Sequence, residues 1–207
     1  NNLVEYFKID NNNITVIRNG IKDRLNNGTL KIFDPNNIKI LYPARINNVK
    51  QQVKIVEFLK NRLSKKITID FVGDGEDKDK LNQLCKESTQ FNFKGFVNID
   101  EIIDDYDFVM LFSKNEGLPL SLIEACMFQK PILANDVGGN LEILNEGHNG
   151  FMLSNFESLP NTLSQLHFLS NEKYQVLAHN SRQIFETKFL SEKMYTEYRN
   201  IIEKMIL

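Results

Sequence analysis

From residue 38 onward, short apolar runs alternate with stretches in which apolar residues recur every three or four positions. Ile38-Lys39-Ile40-Leu41-Tyr42 predicts a strand, and Val53, Val56, Phe58, Leu59 and Leu63 then give the next segment one apolar helical face. The alternation repeats. Ile67 to Val72 reads as a strand, Leu81 to Lys86 as a helix, and Phe91 to Lys94 as a strand ended by Gly95. A short helix over Ile99 to Ile103 leads to a strand over Phe108 to Phe112, and another helix follows Pro119. Pro131 to Ala134, a Gly138-Gly139 turn, Glu142-Ile143-Leu144 and a last strand over Gly150 to Leu153 complete the alternating part. The rest is helical in pattern, over roughly 157–170, 172–188 and 191–204. Short apolar strands separated by amphipathic helices indicate βαβ units, hence a parallel sheet covered on both faces. Right-handed crossovers then make the expected fold an α/β, doubly wound, Rossmann-like domain.

The first 37 residues lack this rhythm. Leu3 to Phe7 is helix-like, Asp10 to Asn13 is a turn, and Ile14-Thr15-Val16-Ile17 is a β-rich run stopped by Asn19-Gly20. From there to Asn37 the chain is polar, with Asn26-Asn27-Gly28 and Asp34-Pro35, and reads as a linker. Without an initiator methionine, the chain reads as part of a longer polypeptide.

Composition narrows the functional classes. With 42% hydrophobic and 25% charged residues among 207, the chain is an ordinary globular domain that needs no disulfide or structural metal. A net charge of −2 and dispersed basic residues argue against nucleic acid. Cys85 and Cys126 have no metal spacing and read as buried thiols in a reducing compartment. The three histidines have no metal spacing either, and His148, between Gly147 and Asn149-Gly150, reads as part of a turn. No apolar run is long enough for a membrane span, and no signal-peptide pattern opens the chain.

In a doubly wound sheet, ligands bind beyond the carboxyl ends of the strands, so the residues just after each strand carry the chemistry. The richest such segment is Glu116-Gly117-Leu118-Pro119-Leu120-Ser121-Leu122-Ile123-Glu124. Proline suits the first turn of the helix, and the free amides of Leu118, Leu120 and Ser121 suit a phosphate. Glu124 lies roughly 6–9 Å further along the axis, about one sugar ring away, where a carboxylate accepts hydrogen bonds from a ribose diol. Arg45 and Lys50, after the first strand, supply cations for a diphosphate. Gly73-Asp74-Gly75 ends another strand, a weak glycine loop without a Walker lysine. Taken singly, each feature has a plainer reading, as a solvated charge or a tight turn. Together they occupy successive strand ends of one sheet.

These residues resemble the retaining GT-B glycosyltransferases of the group 1 family. Glu116-Gly117-Leu118-Pro119…Glu124 resembles that family's E-x7-E motif, and six further segments follow in the family's order. They are Ile14 to Ile21 (the interdomain hinge), Tyr42-Pro43-Ala44-Arg45…Lys50, Phe71 to Gly75, Phe93 to Val97, Asn135 to Leu144 and Asn145 to Phe151. The resemblance implies transfer of a sugar from a nucleotide diphosphate sugar to an acceptor hydroxyl with retention of configuration. It assigns Arg45 and Lys50 to the diphosphate and its leaving-group charge. Glu116 positions the donor sugar, and Gly117, Leu118, Pro119 and Leu120 offer main-chain donors. Glu124 holds the ribose, and Gly73 and the Phe96-Val97 segment complete the nucleotide site.

No metal or other cofactor is implied. Residues 1–37 would be the end of an N-terminal domain and its hinge, 38–190 the nucleotide-sugar domain, and 191–207 a helix returning toward the N-terminal domain. That other domain would bind the acceptor, a saccharide or glycolipid, and provide any peripheral membrane contact, so this piece alone would be inactive. The implied setting is polysaccharide or glycoconjugate synthesis in the cytoplasm or at the cytoplasmic membrane face. Tyr195, Tyr198 and Ile202 are expected to be exposed on the last helix. Arg18 and Lys22 depart from the hinge pattern, as do Pro43-Ala44 from the usual glycine before Arg45. The alternatives are a non-catalytic nucleotide-sugar-binding module and a sugar-nucleotide epimerase of the same fold. A dinucleotide oxidoreductase is disfavoured because no GxGxxG opens the first helix.

Overall fold

The computed structural model describes residue 6, residue 8, residue 10 and residues 14–25 and 31–206. The helix-like start, the asparagine turn at 11–13 and Asn26-Asn27-Gly28 lie outside the described residues. Six parallel strands form one sheet in the order β3-β2-β1-β4-β5-β6. They are β1 (Ile38–Pro43), β2 (Ile67–Val72), β3 (Phe91–Gly95), β4 (Phe108–Leu111), β5 (Ile132–Ala134) and β6 (Gly150–Met152). The register pairs Ile38 with Ile67, Ile40 with Phe108 and Val109 with Ile132. In β4 all four residues are buried, as expected of a strand covered on both faces. The strand order reverses between β1 and β4, and a crevice opens at such a switch point beyond the carboxyl ends.

The helices that cover the sheet are α1 (Gln52–Leu59), α2 (Lys78–Lys86), α3 (Leu120–Met127), α4 (Asn140–Ile143), α5 (Leu159–Gln165), α6 (Asn171–Ile184) and α7 (Ser191–Ile206). Ser170 caps α6, its hydroxyl accepting from the Lys173 amide at 3.2 Å and satisfying one of the free amides of the first turn. Among the described residues, no helix is long and apolar enough to cross a membrane. Cys85 and Cys126 are both buried and free, and burial pushes each thiol up to about 12.

Several local expectations change. Ile14 to Ile17 form no strand, and Val16 is exposed. A β-prone sequence needs a partner edge, and here only Ile21 finds one. Its amide donates to the Phe189 carbonyl at 2.9 Å, and its own carbonyl accepts from Ser191 at 3.0 Å. The stretch read as linker carries a core residue, Phe33, whose ring stacks on Tyr174 with centroids 4.7 Å apart. Instead of one helix over 99–103 there are two 3-10 turns, Ile99–Glu101 and Ile103–Asp105. The α-helix in the stretch to 188 ends at Ile184 and widens into a π turn over Phe185–Phe189. Tyr195, Tyr198 and Ile202 are exposed along α7, as the sequence predicts.

Candidate functional site

At the switch point, the loop after β1 meets the loop after β4. Lys50 lies in the turn before α1, and its Nζ stands 2.5 Å from Oε1 of Glu116. The Glu116 side chain is only 6% exposed and that of Lys50 21%, so water screens this pair weakly. A buried hydroxyl holds the two loops in register. The Tyr42 hydroxyl, at the end of β1, accepts from the Phe112 amide at 2.8 Å, and it lies 2.6 Å from the Lys50 carbonyl and 3.0 Å from that of Phe112. Burial raises the Tyr42 pKa above its ordinary value, so the phenol stays neutral and able to donate. The Lys114 amide adds a bond to the Val49 carbonyl at 2.9 Å.

The Glu116 loop is shaped from the β5 side. Asn135, just beyond β5, accepts from the Ser113 amide at 3.0 Å and donates to the Ser113 carbonyl at 2.7 Å. Asn140 in turn donates to the Asn135 carbonyl at 2.9 Å. Gly138 has φ +53°, and a Cβ there would stand 1.8 Å from the Glu116 carbonyl oxygen. The Gly139 amide donates to the Gly117 carbonyl at 2.7 Å. The two glycines therefore let one backbone lie directly on the other and fix where Glu116 and Gly117 sit.

Pro119 then caps α3 with extended backbone, and the helix starts at Leu120. The amides of Leu120 and Ser121 make no hydrogen bond among the described residues, whereas those of Leu122 and Ile123 bond to the Pro119 carbonyl. Two open amides at a helix start attract an anion. Glu124 follows within the first turns, 23% exposed, with Oε1 at 2.7 Å from Nη2 of Arg24. Arg24 also grips Asp100, through Nε at 2.8 Å and Nη2 at 3.2 Å. Asp100 holds the Arg24 pKa above its usual value against partial burial, and Glu124 adds in the same direction. Arg24, Asp100 and Glu124 line a cavity of about 360 Å³ together with Phe96, Val97, Asn98 and Ile99.

The structure thus gathers most of the residues singled out from the sequence. Lys50 and Glu116 touch, Gly117, Leu118, Pro119 and Leu120 form the connection to α3, and Glu124 shares its cavity with Phe96 and Val97. Phe96 is 86% exposed, so its ring is open to solvent at that cavity. Gly73 ends β2 against the β1 loop, and a Cβ on it would meet the Ala44 carbonyl oxygen at 2.1 Å. Arg45 stands apart from Lys50 in its partners. It is well exposed and paired with Glu76 at 2.7 Å. Sequence reasoning missed Tyr42, Asn135 and Arg24. Tyr42 looked like an ordinary strand residue, and Arg24 lay in the polar stretch with no local pattern to single it out. Among the described residues, no group of three or more His, Cys, Asp or Glu side chains is placed to hold a metal ion.

A doubly wound sheet with opposed cation and carboxylate at its switch point, next to a helix start and a cavity, defines a Rossmann-like α/β domain whose crevice lies where ligands bind in such sheets. The family "Glycosyl transferases group 1" matches residues 30–184, and the chain belongs to that family. The O-antigen biosynthesis glycosyltransferase WbnH of Escherichia coli is 32% identical over 166 residues, covering 79% of this chain and 46% of WbnH. The crystal structure of a glycosyltransferase from Rickettsia africae superposes with a TM-score of 0.84 at 20% identity, over 99% of this chain and 60% of that one. Anabaena HepE in complex with UDP-glucose superposes with a TM-score of 0.72 at 23% identity, over 82% of this chain and 49% of HepE. These superpositions establish the GT-B type of Rossmann-like fold. The chain spans about half the length of the curated relatives it matches.

Proposed function

We propose that this chain is the donor-binding part of a retaining glycosyltransferase that takes a sugar from a nucleotide diphosphate sugar and delivers it to an acceptor hydroxyl. The observation that carries the reading is the Lys50–Glu116 contact at the β1/β4 switch point, with Glu124 and the Phe96 cavity one helix turn beyond. In this reading the diphosphate lies over the open amides of Leu120 and Ser121. Lys50 turns from Glu116 to the phosphate oxygens and stabilises the charge that develops as the glycosidic bond breaks. Arg45 leaves Glu76 to add a second cation. We assign this charge stabilisation to these two side chains, without a metal. Glu116, released from Lys50, accepts hydrogen bonds from the donor sugar's hydroxyls. Glu124 accepts from the ribose diol, and the base lies against Phe96 and Val97, while Gly73 and Gly117 keep the loops close without side chains in the way.

Residues 1–37 are then the end of an N-terminal domain and its hinge, and 38–190 the donor domain. The helix of 191–207 packs toward an acceptor-binding domain, where a saccharide or glycolipid is held. HepE binds UDP-glucose, and WbnH is named for O-antigen biosynthesis. The first supports a nucleotide-sugar donor and the second a place in polysaccharide synthesis, which we assign to the cytoplasm or its membrane face. The test is thermal unfolding of the chain with UDP, GDP, ADP and CDP, for the wild type, Lys50→Ala and Glu124→Ala. A ligand at about 100 times its dissociation constant stabilises by about 2.7 kcal/mol, a rise of roughly 5–11 °C for a domain of this size. One diphosphate should give that rise with the wild type, about half of it with Glu124→Ala and little with Lys50→Ala. A folded wild-type chain that responds to none of the four contradicts the reading. Retention is read separately, from the anomeric configuration of the product made by the polypeptide with its acceptor domain.

A further inference from the structure

Glu124 takes its orientation from a residue one hundred positions upstream and outside the sheet. Arg24 occupies Oε1 of Glu124 at 2.7 Å, and Oε2 takes no hydrogen bond among the described residues. The guanidinium is itself fixed. Asp100 binds it through both carboxylate oxygens, and Phe128 lies beneath it, the ring centroid 6.0 Å from the guanidinium carbon. The backbone that carries Arg24 is docked on both sides. Ile21 bonds to Phe189 and Ser191, and Asp23 pairs with Arg182, whose Nη1 also reaches the Met127 carbonyl at 2.9 Å. A glutamate without such a partner samples several staggered rotamers, whereas this one is held with a single free oxygen at the cavity.

We propose that Arg24 is a positioning residue for nucleotide recognition, which aims Glu124 at the ribose hydroxyls and so gives the site its preference for ribonucleotides over deoxyribonucleotides. The proposal rests on the donor-binding reading above. The bidentate Asp100 contact supplies the rigidity, because a planar guanidinium gripped at two points cannot rotate freely.

The test is calorimetric binding of whichever of UDP, GDP, ADP and CDP binds tightest, and of its 2′-deoxy form. The proteins are the wild type, Arg24→Ala, Asp100→Asn and Glu124→Ala. The wild type should favour the ribose form by about tenfold, the scale of one hydrogen bond to a charged group. Arg24→Ala should bring that ratio below about threefold, to the level of Glu124→Ala, while affinity for the deoxy form changes little. Asp100→Asn, which keeps the guanidinium but loosens it, should fall between, and far-ultraviolet circular dichroism checks that each variant is folded. A ratio unchanged in folded Arg24→Ala, with both forms weakened alike, overturns the positioning role while leaving the donor-binding reading intact. A folded wild-type chain that binds no nucleotide overturns both.

Discussion

Replacing Gly138 with alanine should disturb Glu116 without touching it chemically. The new Cβ would lie 1.8 Å from the Glu116 carbonyl oxygen and 2.7 Å from its carbon, and both are backbone atoms that cannot swing aside. Reaching even 3.0 Å requires the Glu116 loop to retreat by more than 1 Å. The φ of +53° adds left-handed strain of about 1–2 kcal/mol for an alanine. Overpacking contributes roughly 1–3 kcal/mol more, against about 0.4–1 kcal/mol regained from the stiffer unfolded chain. The sum is a loss of about 3 kcal/mol, or ~6–12 °C in melting temperature. Gly147→Ala is the matched control. Its φ is +69°, but nothing stands within 4 Å of the added Cβ, so it carries the strain without the collision. It should lose only ~2–4 °C and bind nucleotide sugar normally. Gly138→Ala should also weaken nucleotide-sugar binding by about tenfold or more, because Glu116 and Gly117 move by about the tolerance of a hydrogen bond. Differential scanning calorimetry and titration calorimetry on the two variants decide the matter. Equal melting temperatures and equal, wild-type-like affinities would refute the claim that Gly138 sets the Glu116 loop.

Two further outcomes follow from the same contacts. Tyr42→Phe leaves the buried Phe112 amide without an acceptor and releases the Lys50 turn. It should cost about 1–3 kcal/mol, seen as a fall of ~3–9 °C in thermal unfolding, and a change under 1 °C would deny the hydroxyl its bridging role. The Asp23–Arg182 pair should give the protein part of its acid limb. Its hydrogen bond from Arg182 holds the Asp23 carboxyl below its ordinary value, so the contribution is complete above about pH 4 and fades as pH falls through the lowered folded-state value. Asp23→Asn should therefore be less stable than wild type by about 1 kcal/mol at pH 7, with the gap closing at the acid end. Melting curves whose separation stays constant from pH 7 to pH 2 would contradict this.

The sheet was legible in the sequence because its strands are buried on both faces, so their apolar runs are nearly unbroken. Ile67–Val72 begins and ends where the pattern places it, and the other strands differ by a residue at an end. The same logic failed at Ile14 to Ile17, where the β-prone residues join no strand and bridging begins only at Ile21, opposite Leu190. Phe33 was hidden because a single aromatic in a polar stretch has no period, although its ring completes a core cluster with Phe108 and Tyr174. At the site, the strand-end rule and the Glu116…Glu124 spacing located the carboxylates. They could not show their partners. The Arg24–Glu124 contact joins residues 100 apart, and Lys50–Glu116 joins residues 66 apart. Such pairings depend on which strands are neighbours, which the order β1-β4 alone reveals. Arg45 and Lys50 looked equivalent as sequence, but the turn before α1 aims one at Glu116 and leaves the other with Glu76.

Whether the crevice between β1 and β4 holds a nucleotide sugar is read most directly from a crystal structure of the chain with its tightest-binding nucleoside diphosphate. Phosphates should lie over the amides of Leu120 and Ser121 with Lys50 turned onto them, ribose hydroxyls on Glu124, and the base against Phe96. A nucleotide found elsewhere, for instance in the groove of about 420 Å³ lined by Lys54, Phe58 and Phe156, with Lys50 still on Glu116, would contradict this placement.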